Sequence, residues 1–198
     1  MVCRDIFQGH SVCDSCAIAT CDAYKWGLGI IISDCGLILT CARMFMQYYG
    51  NLRRKIDVHT HEHRTSEGSL IFADIDEDIT LVEVKSLDRP LPMVIIGRSS
   101  SVLAGEWVAA IGCSNACQDT LTYGIVGCDS QKRHGIVGVR TYIQTECLLL
   151  VGNFGGLLVN LDGEVVGIVC DNCIEREGLG FAIPIGKAVN ILLEYGFI

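Results

Sequence analysis

Three things are missing from this sequence of 198 residues: an apolar run long enough to cross a bilayer, an excess of positive charge, and helix-length periodic segments. The longest apolar stretches, such as Gly29 to Ile32 and Leu148 to Val151, have strand length, so a membrane-spanning helix is not expected. Lys and Arg total 15 against 23 Asp and Glu, a net charge of −8 spread along the chain. The compact basic run Arg53-Arg54-Lys55 faces acidic neighbours, so binding to nucleic-acid phosphates is not expected either. The opening MVCRDIFQGHSVCDSC has neither the long apolar core of a secretory signal nor the Arg/Ser-rich, acid-poor look of a transit peptide. The expectation from these absences is a soluble, intracellular protein in an unidentified compartment.

What is present is half hydrophobic, with 19% charged residues and 22 glycines, which favours an all-β chain rich in turns. The length suits one domain, or two small lobes sharing a core, able to fold without covalent staples. The sequence has 12 cysteines. Cys13-Asp14-Ser15-Cys16 and Cys170-Asp171-Asn172-Cys173 are both C-x-x-C pairs that would form a tetrahedral zinc site if the fold joined them. Their separation carries no metal-site information, and Cys113 and Cys117 add none, so free thiols and no metal or other cofactor are expected. His59, His61 and His63 would share one face of an extended strand, which suggests a metal array. Charge brackets the run and no fourth ligand is fixed, so a polar hairpin tip is the competing reading.

Met1 to Trp26 shows no clear period and is read as a separate N-terminal segment, either a short element attached to the core or partly disordered. From Gly27 the pattern changes. Gly29 to Ile32 and Leu37 to Thr40 flank the turn Ser33-Asp34-Cys35-Gly36, a hairpin signature, and Arg54 to His59 with Arg64 to Phe72 suggests another. Asp78 to Val84 alternates as a half-buried strand would. Arg89-Pro90-Leu91-Pro92 reads as a linker and Gly97 to Ser101 as a loop. Further strands are expected at Glu106–Gly112, Thr120–Val126, Thr141–Thr145, Leu157–Asn160 and Glu164–Val169. After Pro184, residues Ile185, Val189, Leu192 and Leu193 make an apolar stripe for one terminal helix reaching Tyr195. Short strands at regular spacing suggest paired β-barrels.

Several blocks in order resemble the protease domain of the HtrA/Do-like (Deg) serine protease family. They are Gly27-Leu28-Gly29-Ile30-Ile31-Ile32-Ser33-Asp34-Cys35-Gly36-Leu37-Ile38-Leu39-Thr40, Gly97-Arg98-Ser99-Ser100, Gly105-Glu106-Trp107-Val108, Tyr142-Ile143-Gln144-Thr145 and Asn160-Leu161-Asp162-Gly163-Glu164-Val165. Leu39-Thr40-Cys41-Ala42 is similar to the plant Do-like members. The resemblance implies a trypsin-like double β-barrel over 27–198, with the first barrel at about 27–104 and the second at about 105–198. It also implies a catalytic triad, with histidine after a Thr-x-Ala stretch, aspartate opening an Asp-Ile-Ala-Leu strand, and serine within Gly-Asn-Ser-Gly-Gly.

Carried over position by position, the aspartate falls on Asp78, the histidine position holds Arg43 and the serine position holds Phe154. A guanidinium stays protonated and cannot take the proton a hydroxyl must lose. A phenyl ring has no nucleophilic atom. Loss of base or nucleophile alone removes about a million-fold in turnover from such a triad. Leu150, Leu157 and Ser114 also depart from the family pattern. The oxyanion-hole donors would be the main-chain N–H groups of Gly152 and Phe154, which survive a change of side chain.

The expectation is an inactive homologue that binds unfolded peptides, or an active Do-like relative as its regulatory subunit; a residual endopeptidase is the third reading. No PDZ module is expected after the terminal helix, and the oligomeric state is left open. The inherited geometry further predicts that Arg43 pairs with Asp78 and that Phe154 caps the site.

Overall fold

The computed structural model describes residues 16–22, 25–48, 55–60, 65–85, 89–114, 117–149, 153–172 and 178–198. Two closed antiparallel barrels follow one another along the chain. The first is ordered β1-β2-β3-β6-β5-β4, with β1 Cys16–Asp22, β2 Lys25–Ile31, β3 Leu37–Thr40, β4 Lys55–Thr60, β5 Thr65–Asp74 and β6 Ile79–Val84. The second is ordered β10-β11-β12-β9-β8-β7, with β7 Trp107–Ser114, β8 Cys117–His134, β9 Val139–Thr145, β10 Leu157–Asn160, β11 Val165–Asn172 and β12 Gly180–Pro184. Among the described residues there is one α-helix, α1, spanning Ile185–Glu194.

Turn chemistry sets the tight hairpins. Between β2 and β3 the Gly36 N–H donates to the Ser33 carbonyl at 3.1 Å and the Cys35 N–H to Ser33 Oγ at 3.2 Å. Gly36 takes φ 97°, a conformation that strongly favours glycine, and the register Ile30 to Leu39 and Ile31 to Ile38 follows. Between β10 and β11 the Asn160 side-chain oxygen accepts from the Asp162 and Glu164 N–H groups at 3.1 and 2.9 Å, a side-chain substitute for a backbone turn.

Three apolar clusters explain the strand burial. Ile31, Ile38, Phe45, Val82 and Val84 help fill the first barrel, and Val108, Ala110, Ile143, Leu158 and Val166 the second. Between the barrels Ile30, Leu39, Ile79 and Leu81 meet Ile111, Leu157, Ile168 and Ile183, with Ile185, Ala188 and Leu192 of α1. β2, β3 and β6 therefore bury both faces. This corrects the half-buried reading of Asp78 to Val84: Ile79 and Leu81 face the inter-barrel cluster while Val82 and Val84 face the barrel interior.

Three more sequence readings change. The first barrel begins at Cys16 rather than Gly27, because β1 pairs with both β2 and β4 and its pairing with β4 closes the ring. The sequence reading placed no strand at Gly180–Pro184, although β12 joins β9 to β11. Leu193 is 56% exposed, so the buried stripe of α1 is Ile185, Ala188 and Leu192. The segment after Arg89-Pro90-Leu91-Pro92 carries the chain across, with Val94 N–H donating to the Ile31 carbonyl and Val165 N–H to the Ile95 carbonyl, at 3.1 and 2.8 Å.

Candidate active site

Asp78 closes the turn between β5 and β6. It alone among the described non-glycine residues has positive φ, 59°, which aspartate tolerates better than most side chains. Its N–H donates to the Ile75 carbonyl at 3.3 Å, and its carbonyl accepts the Ala42 N–H at 3.1 Å. The side chain is thereby aimed at the start of the 3-10 segment Ala42–Tyr48. Arg43 Nε donates to Asp78 Oδ2 at 2.5 Å, and the Arg43 main-chain N–H donates to Oδ1 at 2.8 Å. Both carboxylate oxygens are therefore engaged by one residue, through a side-chain and a main-chain donor.

The carboxylate is almost wholly buried, at 2% side-chain exposure, and Arg43 keeps 20%. Burial is the largest single influence and lowers the guanidinium pKa; the Asp78 charge and hydrogen bond, with contributions from Cys170 and Cys41, together outweigh it and hold Arg43 above its ordinary value. Arg43 stays protonated at any accessible pH, which leaves it unable to act as a general base. Behind the pair, Cys41 is fully buried with its Sγ 3.6 Å from the Val169 carbonyl. Burial, with the nearby Asp78 charge second, pushes that thiol well above the usual range.

On the second barrel Asn153 to Gly156 form a turn closed by Gly156 N–H to the Asn153 carbonyl, 3.0 Å. Gly155 has φ 83°, and its N–H donates to the Val169 carbonyl at 2.7 Å. A Cβ there would lie 1.9 Å from the Leu28 carbonyl oxygen and 2.2 Å from Thr40 Oγ1, so only glycine fits this crossing of the two barrels. The Phe154 carbonyl accepts the Leu28 N–H at 3.0 Å, while Thr40 Oγ1 donates to the Leu28 carbonyl at 2.6 Å. The Phe154 ring is partly buried and packs on both the second-barrel core and the inter-barrel cluster. The Phe154 side chain itself carries no nucleophilic atom.

The structure thus brings Arg43 and Asp78 together and sets the Phe154 turn against β2 and the end of β3. Gly152 and Leu150 lie outside the described residues. So do Cys13, Cys173, His61 and His63, and the side chains of Cys16, Cys113 and Cys117 are not described. His59 shares a 2.8 Å hydrogen bond with Thr65 across the β4–β5 hairpin. Among the described residues no group of three or more His, Cys, Asp or Glu is arranged for a metal, and Cys35, Cys41, Cys128, Cys147 and Cys170 are not joined in disulfides.

Two features escape the sequence reading. Glu77, next to Asp78, pairs with Arg140 at 3.2 Å and with Lys187 of α1. Ser99 Oγ accepts the Gly186 N–H at 3.0 Å, capping α1 from a distant loop. Neither has a local signature, because the partners are far apart in the chain.

The trypsin-like peptidase domain family matches residues 27–168, a span containing Arg43, Asp78 and Phe154. The chain belongs to the trypsin-like peptidase family. Within that family its relatives are HtrA and Do-like proteases. A plant protease homologue, Do-like 14 of Arabidopsis thaliana, is 42% identical over 176 residues, covering 85% of this chain and 41% of that protein. Serine protease HTRA1 of Xenopus tropicalis is 38% identical over 173 residues, covering 85% and 35%. This trypsin-like chain therefore spans about two fifths or less of the length of these relatives. The HtrA-type protease AlgW, in a structure with a tripeptide, superposes with a TM-score of 0.80 at 26% identity, covering 91% of this chain and 59% of that one. The double-barrel fold implied by the resemblance is the fold observed. Among the described residues of this peptidase-family chain no helix is long and apolar enough to cross a membrane.

Proposed function

We propose that this chain is a non-catalytic HtrA/Do-like homologue that binds peptides in extended form. The observation carrying the reading is the closed pair of Arg43 and Asp78, with both carboxylate oxygens occupied and a permanent cation where the family resemblance calls for a histidine. Phe154 supports it, since the residue at the turn offers no oxygen or sulfur to attack a carbonyl. The glycines of the turn support retention of shape without chemistry. A fold similar to that of an HtrA-type protease with a tripeptide favours peptide as the ligand class.

Two measurements on the purified chain test the reading. Incubation with a fluorophosphonate probe is expected to give no adduct, and covalent label on any of residues 152–156 overturns the absence of catalysis. Fluorescent unfolded casein is expected to bind and remain uncut; cleavage above a buffer control removes the proposal, and absence of binding removes its peptide half.

A further inference from the structure

The helix α1 contacts the Asp78 turn at one end and the outside of the first barrel at the other. Near its start, Lys187 pairs with Glu77, the residue immediately before Asp78. Arg140 of β9 doubles this clamp, its Nε lying 3.2 Å from Glu77 Oε1 and donating to the Asp76 carbonyl at 3.0 Å. Beyond its end, the Tyr195 and Phe197 rings lie 4.9 and 5.2 Å from the Phe72 ring on β5, the strand that leads into the same turn. Between these ends Ile185, Ala188 and Leu192 are buried in the inter-barrel cluster.

The turn itself is compact: Glu77 N–H donates to Asp74 Oδ1 at 2.9 Å and Asp78 N–H to the Ile75 carbonyl. It presents Asp78, the residue directly after Glu77, in a left-handed conformation with φ 59°. We propose that α1 is a strap that seats the Asp74–Asp78 turn, so a displacement of α1 is transmitted through Lys187 and Glu77 to the Arg43–Asp78 pair. The ion pairs are individually modest because all three side chains keep a quarter or more of their exposure to water, or close to it. Their effect is directional: they fix one turn rather than add to global stability. The site is then coupled to a distant element whether or not the chain cleaves anything, so the inference stands apart from the proposed lack of catalysis.

Amide hydrogen exchange on the full chain reads this directly, because the Arg43 N–H donates to Asp78 Oδ1. In Lys187→Met the Arg43 amide is expected to exchange about tenfold faster while the Ile143 and Ile111 amides of the second barrel keep their rates. Lys187→Arg, which retains the charge, is expected to restore the Arg43 rate to within about twofold of the parent. Glu77→Gln gives the same reading from the other partner if Lys187→Met fails to accumulate. An unchanged Arg43 rate, a rise of equal size at Ile143 and Ile111, or no restoration by Lys187→Arg overturns the strap.

Discussion

On the first barrel the site is held by charge; on the second it is held by main chain. Asp78 reaches Arg43 through a side-chain and a backbone donor, and a different residue at position 43 would still offer the backbone N–H. The turn at Phe154 has its shape set by Gly155 N–H to Val169, Gly156 N–H to Asn153 and Leu28 N–H to Phe154, none of which depends on the Phe154 side chain. The comparison teaches why the two positions tolerate different changes. A backbone-defined turn accepts a new side chain at its tip as long as its glycines stay, whereas a buried carboxylate demands a cationic or hydrogen-bonding partner.

The largest expected effect breaks the second region. Gly155→Ala would place a Cβ 1.9 Å from the Leu28 oxygen at φ 83°, so both sterics and backbone conformation oppose it. A loss of about 3–4 kcal/mol in urea denaturation is expected. If Gly155→Ala costs less than about 1 kcal/mol, the turn is not the rigid crossing described here. Next comes the first region. Asp78→Ala strands a mostly buried guanidinium and is expected to cost about 2–3 kcal/mol, below the range for a fully buried pair because Arg43 keeps 20% exposure. Asp78→Ala with Arg43→Met removes both charges, and recovery of at least half the loss in that double variant would assign the cost to the stranded cation.

A smaller effect sharpens the contrast within the turn. Asn153 is buried, and neither its amide oxygen nor its nitrogen has a hydrogen-bond partner among the described residues. Its side chain lies flat on Gly112, where a Cβ would come within 2.3 Å of it. Asn153→Leu keeps similar bulk and removes the unpaired polar atoms, so stability is expected to rise by about 1 kcal/mol. A loss of that size would mean the amide is satisfied in solution.

These differences also explain what could be read in the sequence. Leu37–Thr40 and Leu157–Asn160 are legible because a glycine-bearing or Asx turn abuts an apolar run. Cys16–Asp22 and Gly180–Pro184 are not, because short runs of small residues around one or two large ones carry no period that separates strand from loop. β8 extends through Cys128 to His134 although that part is polar, since an exposed two-stranded ribbon needs cross-strand pairing rather than burial. At the site, Arg43, Asp78 and Phe154 are marked by motif order. The Arg43 main-chain donor is not, because a backbone N–H has no letter in the sequence. The Glu77 clamp is invisible for another reason: an Asp-Glu-Asp run gives no sign of which acid meets a lysine more than a hundred residues on.

At neutral pH the smallest expected effect concerns the thiol lying behind the charged region. Burial raises the pKa of Cys41 well above its ordinary value, with the Asp78 charge adding to the shift. In the unfolded chain a thiol ionises above about pH 8.5. Above that pH the native state therefore holds a proton that the unfolded state has released, and native stability must fall as pH rises; below it both states are protonated and the group contributes no slope. For one such thiol the limiting slope is about 1.4 kcal/mol per pH unit. Cys147, raised mainly by burial, adds a contribution of the same sign from inside the second barrel. Cys41→Ala should therefore lower stability at neutral pH by leaving a small cavity, yet flatten the decline between about pH 9 and 10 relative to the parent. Cys147→Ala should flatten it as well, but without any change at the Arg43 amide, since that thiol belongs to the second-barrel core. Parallel parent and Cys41→Ala curves across that interval would show that the Cys41 thiol is not shielded, and with it that the charged region is more open to water than the buried carboxylate implies.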